Sequence, residues 1–515
     1  MSGHDTIIVG GGHNGLVCAA YLAKAGRRVL LLEASERLGG AAITRPFAPG
    51  FQVPACAHRV HMLPATLVAD LGLAGHGLDV SGTPKPTTAL GAKGACVTFA
   101  GTQVSGVSAA DAAAYRAFTQ RWQRFAAHMQ PVLQMAPPRL GTTAWRDIAK
   151  LLRVGLQIRT LGRDEMRALL RVIGMNVYDL VEENFECKLL QGAVAFDAVL
   201  GTNSGPRSPG SVLTLLYRLA AEHGAAQLGP GSGEAGAVTA AIAAAARGFG
   251  ATLRTDAVVT KIRVQDGRAV GVELRGGECL AAATVISNAS PRTTFLDLVG
   301  AEHLDTGFVR RVAHFRSRGL TAKLHLALSD VPAFNGVTAE ALQGRLIIAP
   351  SPDFLEHAFN ATKYGAFSEQ PAMEIVCPSS STPALAPPGK HVLSVVVQYA
   401  PYELRAGWEE VRHIFVERIL AGLEAHAPGL RGIIEATELL TPADIEREFR
   451  IAGGHWHHGE VMFDQIFMLR PFPGAAQYAT PVPGVFLCGA GAHPGGGVTG
   501  LPGHHAARAV LAEAA

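Results

Sequence analysis

The chain of 515 residues is 48% hydrophobic and carries 45 basic against 42 acidic side chains, a formal charge of +3. That length and apolar content suit two or three domains with a large core, and so even a charge balance, with no basic block or aromatic–basic run, excludes a nucleic-acid partner. Seven dispersed cysteines without a CxxC pair exclude a disulfide framework or a redox dithiol and fit a reducing compartment.

The opening MSGHDTIIVGGG has neither the basic head nor the apolar core of a secretion signal, so a cytoplasmic location is expected. From there TIIVGGGHNGLVCAAYLAKAGRRVLLLEAS predicts a buried strand at Thr6–Val9, a glycine turn Gly10-x-Gly12-x-x-Gly15, a small-residue helix at 14–25 closed by Gly26, and a second strand at 29–33 ending in an acid. Three glycines alone are a weak signal. Strand, glycines, helix, strand and acid within about thirty residues are a strong one for a dinucleotide site. Glu33 stands eighteen residues after Gly15, where a carboxylate accepts ribose hydroxyls and repels a 2′-phosphate.

The next segment, EASERLGGAAIT at 33–44, runs from the acid into Arg37 and a Gly39-Gly40 pair. With it the chain resembles the flavin-dependent amine oxidase and phytoene desaturase superfamily. Its members carry an acid, an arginine, a Gly-Gly pair and a downstream Ser/Thr in this order, beside the FAD pyrophosphate and ribityl chain. The resemblance implies FAD as cofactor and assigns to its binding Gly10, Gly12, His13, Asn14, Gly15, Glu33, Arg37, Gly40, Ala41 and Ala42. Ala41 departs from the arginine that many members have, which puts one phosphate contact in question.

His58 and His61 follow in ACAHRVHML, and the resemblance places His61 near the flavin. Residues 111–192 read as mostly helical. Within them AWRDIAKLLRVGLQIRTLGRDEMRALLRVIG sets arginines among leucines. It reads as a solvated helical face, with peripheral contact to anionic lipid as the alternative; no apolar run reaches the ~18 residues that span a bilayer.

A second glycine pattern, Gly231-x-Gly233-x-x-Gly236, precedes AVTAAIAAAARGFG, with Asp256 twenty residues on. No strand precedes it, so it reads as a loop opening an alanine-rich helix and not as a nicotinamide site. ATLRTDAVVTKIRVQDGRAVGVELRGG predicts a hairpin turning at Asp266-Gly267, and TVISNASP another short strand. By the resemblance this region returns to the FAD domain, with Val258 or Val259 against the adenine and Asn288-Ala289 near the cofactor. FRSRGLTAKLHLALSDVP and KHVLSVVVQYAP read as sheet strands, and PALAPPGK as a proline-rich turn. Lys323, in TAKLHLAL, resembles the amine oxidases' lysine that holds a water near N5, and is the first catalytic candidate; alternation sets it opposite Ala322 and Leu324. The competing reading is an ordinary edge lysine.

GGHWHHGE supplies His455, His457 and His458, of which the resemblance places His458 near the flavin. Near-neutral titration makes His61 and His458 acid–base candidates. No metal is expected, because HxH-H without acids at ligand spacing is a poor site, and no GxSxG elbow supports hydrolysis.

The chain ends in TPVPGVFLCGAGAHPGGGVTGLPGHHAA, a strand, a glycine run and a helix. By resemblance this is the last FAD segment, with Gly489, Ala490, Gly497 and Val498 along the cofactor and the helix N-terminus toward the flavin. Together with HWHHGEVMFDQIFMLRPFPG it resembles the phytoene-desaturase-related flavoproteins, most closely the branch called pyridine nucleotide-disulfide oxidoreductase domain-containing protein 2, over essentially the full chain.

The implied architecture is α/β: a Rossmann-like GR2-type FAD-binding domain from 1–70, 225–300 and 455–515, with a discontinuous mixed α+β substrate domain from 71–224 and 301–454. The implied function is an FAD-dependent oxidoreductase, a desaturase, dehydrogenase or oxidase. It would transfer hydride from a hydrophobic or conjugated, isoprenoid-like small molecule to flavin N5, with oxygen or a quinone as acceptor. Amine oxidation is the alternative, disfavoured because the C-terminal segment has glycine, valine and threonine where amine oxidases place aromatics. A flavin-containing binding or scaffold protein is the alternative of another class.

Overall fold

Short apolar strands buried on both faces need partners above and below, and the first sheet has both. The computed structural model describes residues 3–139, 141–229, 231 and 234–513. Five parallel strands lie in the order Val485–Leu487, Thr284–Ser287, Thr6–Val9, Val29–Leu32, Thr252–Arg254. Ile8, Leu31 and Ile286 face helices His13–Lys24, Ala235–Gly248 and Leu501–Glu513, whereas Ile7, Leu30 and Val285 face a three-stranded antiparallel sheet. That sheet contains the expected hairpin: Asp266 (φ 50°) and Gly267 (φ 71°) both take the left-handed conformation of its tight turn.

The alanine and glycine content of the helices sets how close they come. A methyl on Gly503 would lie 2.0 Å from the Asn14 carbonyl oxygen, so the last helix rests directly on the first. Gly236 does the same for Ala235–Gly248, where a methyl would meet Thr44 Oγ1 at 2.4 Å. The second glycine pattern is thus a packing device at that position; Gly233 lies outside the described residues.

The second sheet has eight strands, with Thr321–Leu328 paired antiparallel to both His391–Gln398 and Ile434–Leu440. One face is apolar: Ala322, Leu324, Leu326, Val395 and Val397 pack on Phe415, Ile419 and Leu423 of helix Trp408–Glu424. The opposite face carries Lys323, His325, Glu374 and Arg345 toward the cavity described below. Val396 is the register partner of both Lys323 and Glu374, so these two charges flank one valine on one face.

Helices Ala109–Leu133, Trp145–Arg159, Arg163–Gly174, Val177–Asn184 and Lys188–Val199 fill the expected helical region. Helix Trp145–Arg159 has no buried residue, and Trp145, Leu152 and Leu156 are 74%, 68% and 63% exposed. Among the described residues no helix is long and apolar enough to cross a membrane.

Candidate functional site

A cavity of roughly 630 Å³ runs between the two sheets. One end is the first glycine turn. Gly10 (φ 100°) leaves its strand in a conformation that favours glycine, and Asn288 Nδ2 donates to its carbonyl at 3.2 Å. A methyl on Gly12 would sit 2.9 Å from Asn288 Nδ2, and one on Gly15 2.2 Å from the Gly10 carbonyl. Gly12 caps helix His13–Lys24 without a side-chain bond, so its first-turn N–H groups suit an anion. Glu33, just past its strand, accepts from Gly11 N at 2.6 Å and from Ser35 N and Oγ at 2.8 Å each. The acid expected to accept ribose hydroxyls therefore also anchors the glycine turn. Arg37, exposed at the rim, pairs with Glu36 at 3.1 Å.

The other glycine segment lines the cavity next to the first. Its carbonyls are held by side chains: Tyr478 Oη donates to His493 at 3.0 Å, Tyr217 Oη donates to Gly496, and His13 Nε2 lies 3.1 Å from the Gly497 oxygen. His13 thus ties the N-terminal turn to the C-terminal run. A methyl on Gly496 would stand 2.4 Å from His457 Cα, which is why side chains are absent there. Arg470, fully buried, donates to the carbonyls of His457, Gly459, Glu460, Gln465 and Ala490, joining the histidine loop to the last strand's exit.

Gly10, Gly12, His13, Asn14, Glu33, Arg37, Gly40, Ala41, Ala42, Val259, Asn288, Ala490, Gly497 and Val498 line this cavity, as do His61 and His458. Four expected residues do not. Gly15 and Gly489 are instead points of close backbone packing, on Gly10 and Asn288. Val258 gives way to Val259, its neighbour at the start of strand Val259–Gln265. Lys323 sits behind the wall, fully buried, its Nζ without a partner, and its charge acts on Cys56, His58 and Glu374, which do line the cavity. Its strand alternation is as expected, with Ala322 and Leu324 in the opposite core. Burial pushes its ammonium down to about 7.

Several of the histidines are bound to backbone. His325, His457, His493 and His505 reach the carbonyls of Ala55, Leu200, Val132 and Leu133. Burial pushes His458 down to about 3, and His61 well below its ordinary value. Both are neutral at neutral pH.

The inner end of the cavity is a charged network that sequence reading missed. Glu374 takes His58 Nε2 at 2.8 Å and Arg345 Nε; Arg345 Nη2 reaches Asp197 at 2.6 Å. Arg218 joins Asp197 at 2.7 Å to Glu222 at 2.9 Å, with His61 Nε2 3.5 Å from Glu222. The signal was present: a lone charge in the apolar strands AMEIV and RLII is as costly as Lys323 in TAKLHLAL.

Comparison with known proteins agrees with this layout. A family model described as an NAD(P)-binding Rossmann-like domain matches residues 8–71. The mouse pyridine nucleotide-disulfide oxidoreductase domain-containing protein 2 is 34% identical over 99% of this chain and 93% of its own length. A lycopene-forming phytoene desaturase of Pseudescherichia vulneris is 26% identical over 96% of each chain. Cyclohexylamine oxidase from Brevibacterium oxydans shares the fold at a TM-score of 0.57 and 17% identity, covering 99% of each chain. All seven cysteines are free, and the buried thiols of Cys18 and Cys488 lie within hydrogen-bonding reach of each other. The chain belongs to the pyridine nucleotide-disulfide oxidoreductase domain-containing protein 2 family of oxidoreductases.

Proposed function

We propose that the protein is an FAD-dependent oxidoreductase that removes hydride from a carbon of a small organic substrate. The observation that carries this is one continuous cavity with the two glycine segments along its walls: an acid and an uncapped helix N-terminus at one end, Gly497 and Val498 along it, and the charged network at its inner end. That run of side-chain-free backbone fits a dinucleotide. Gly10, Gly12 and Asn14 would hold its pyrophosphate, Glu33 its ribose, and Gly497 and Val498 its ring.

When bound, FAD supplies a two-electron acceptor for hydride. The chain's own groups position substrate and move protons. Lys323, behind the wall, acts on the cavity through its charge beside Cys56, His58 and Glu374; His61 and His458, held low by burial, serve as neutral hydrogen-bonding groups. Met62, Leu200, Ile451 and Trp456 give the substrate chamber apolar walls suited to a conjugated body. Glycine and valine, not aromatic rings, come from the C-terminal segment, which favours dehydrogenation of carbon over amine oxidation. Oxygen or a quinone would take the electrons.

Purified protein is expected to be yellow, and acid precipitation should release FAD. Glu33→Ala should weaken FAD by about tenfold to hundredfold, the roughly 1.5–3 kcal/mol of charge-assisted hydrogen bonds lost. Full flavin occupancy after extensive dialysis of that variant would exclude the assignment. Anaerobic bleaching by polyenes, amines or acyl compounds then identifies the substrate class.

A further inference from the structure

In the charged chamber every carboxylate is matched. Glu374 is held by His58 and Arg345, Asp197 by Arg345 and Arg218, and Glu222 by Arg218 with His61 alongside. The cations are not all matched. Arg59 lies on the cavity wall, half-buried, and its Nη1 is buried without a hydrogen-bond partner. Lys323 is buried without one as well. The region thus sets Arg59, Arg218, Arg345 and Lys323 against three carboxylates, with one guanidinium facing the cavity unpaired.

We infer that the substrate carries a carboxylate and that Arg59 receives it, a conclusion that rests on the flavin-dependent reading above. The planar guanidinium presents two parallel donors that match a carboxylate, and a monoanion would balance the excess cation. The wall beside Arg59 is apolar at Met62, Leu200 and Trp456. The occupant is therefore an acid with an apolar body, and its charged head would fix which carbon faces the flavin. Burial and the neighbouring Arg345 push the Arg59 guanidinium down to about 10, against the opposing pull of Glu374 and Glu222, neither of which hydrogen-bonds to it.

The test uses holoenzyme and matched probes: hexanoate against hexanamide, and cinnamate against cinnamamide. Binding is read by perturbation of the bound flavin's absorbance and independently by calorimetry. The acids should bind at least about tenfold more tightly than the amides. Arg59→Met should abolish that preference with flavin content unchanged, and Arg59→Lys should restore part of it. Amides that bind as tightly as acids, inorganic phosphate that binds as tightly as either acid, or a preference that survives in Arg59→Met would each overturn the inference. So would loss of flavin from Arg59→Met, which would make Arg59 a cofactor ligand. Absence of flavin from the wild-type protein would count against the flavin reading instead, while calorimetry still reads the acid-to-amide ratio.

Discussion

Lys323 shows how one residue's chemistry depends on its neighbours. On a strand whose eight residues are all buried, an ammonium without a partner is pushed down to about 7. The unfolded chain keeps its proton to about 10.5. Between those values the unfolded state binds the extra proton, so this group makes stability rise with pH; below about 7 the full burial penalty applies. Lys323→Met should therefore melt at higher temperature than wild type in mildly acidic buffer, with the gap closing as pH rises toward 10.5. An offset that stays constant with pH would mean the amine does not titrate in the folded protein. The same variant should slow flavin reduction or reoxidation by at least about tenfold, or 1.4 kcal/mol of barrier, in rapid-mixing absorbance.

At the scale of elements, helix Trp145–Arg159 departs from what a solvated face requires. Sequence alone favoured that reading over the lipid contact that arginines among leucines suggest, and in the structure Trp145, Leu152 and Leu156 all project into solvent. Arg146, Lys150, Arg153 and Arg159 share the helix with one acid, Asp147. An apolar face among basic side chains suits the surface of an anionic bilayer. Phosphatidylserine-rich vesicles are expected to co-sediment the protein in a salt-sensitive way. Replacing Leu152 and Leu156 with glutamine should weaken this by at least about tenfold, since each leucine contributes roughly 1.5–3 kcal/mol when buried. Equal sedimentation of wild type and double variant would exclude the helix as the docking face.

For the whole molecule, Arg470 ties together two stretches of cavity wall that flank it in sequence. Its five carbonyl partners span the histidine loop and the exit of the last strand, both of which form cavity wall. Arg470→Met leaves those oxygens buried and unpaired, and should cost more than about 3 kcal/mol of stability together with flavin retention. Urea midpoints and flavin-to-protein ratios check this. Arg470→Lys should not rescue it, because three donors on one nitrogen cannot span what the planar fork reaches.

The sequence by itself determined the local parts. Thr6–Val9, the glycine turn, the hairpin at Asp266-Gly267 and the C-terminal strand–glycine–helix were legible because each depends on short-range rules: β-branched runs, positive φ, apolar period. Tertiary structure decided what those parts face. Whether Val258 or Val259 meets the cavity, that Gly489 serves packing, that Lys323 stands behind the wall, and that Glu374 and Asp197 converge on Arg345 are set by contacts between residues tens to hundreds of positions apart. Such pairings have no local pattern, since a buried charge is tolerated only where the fold brings its partner.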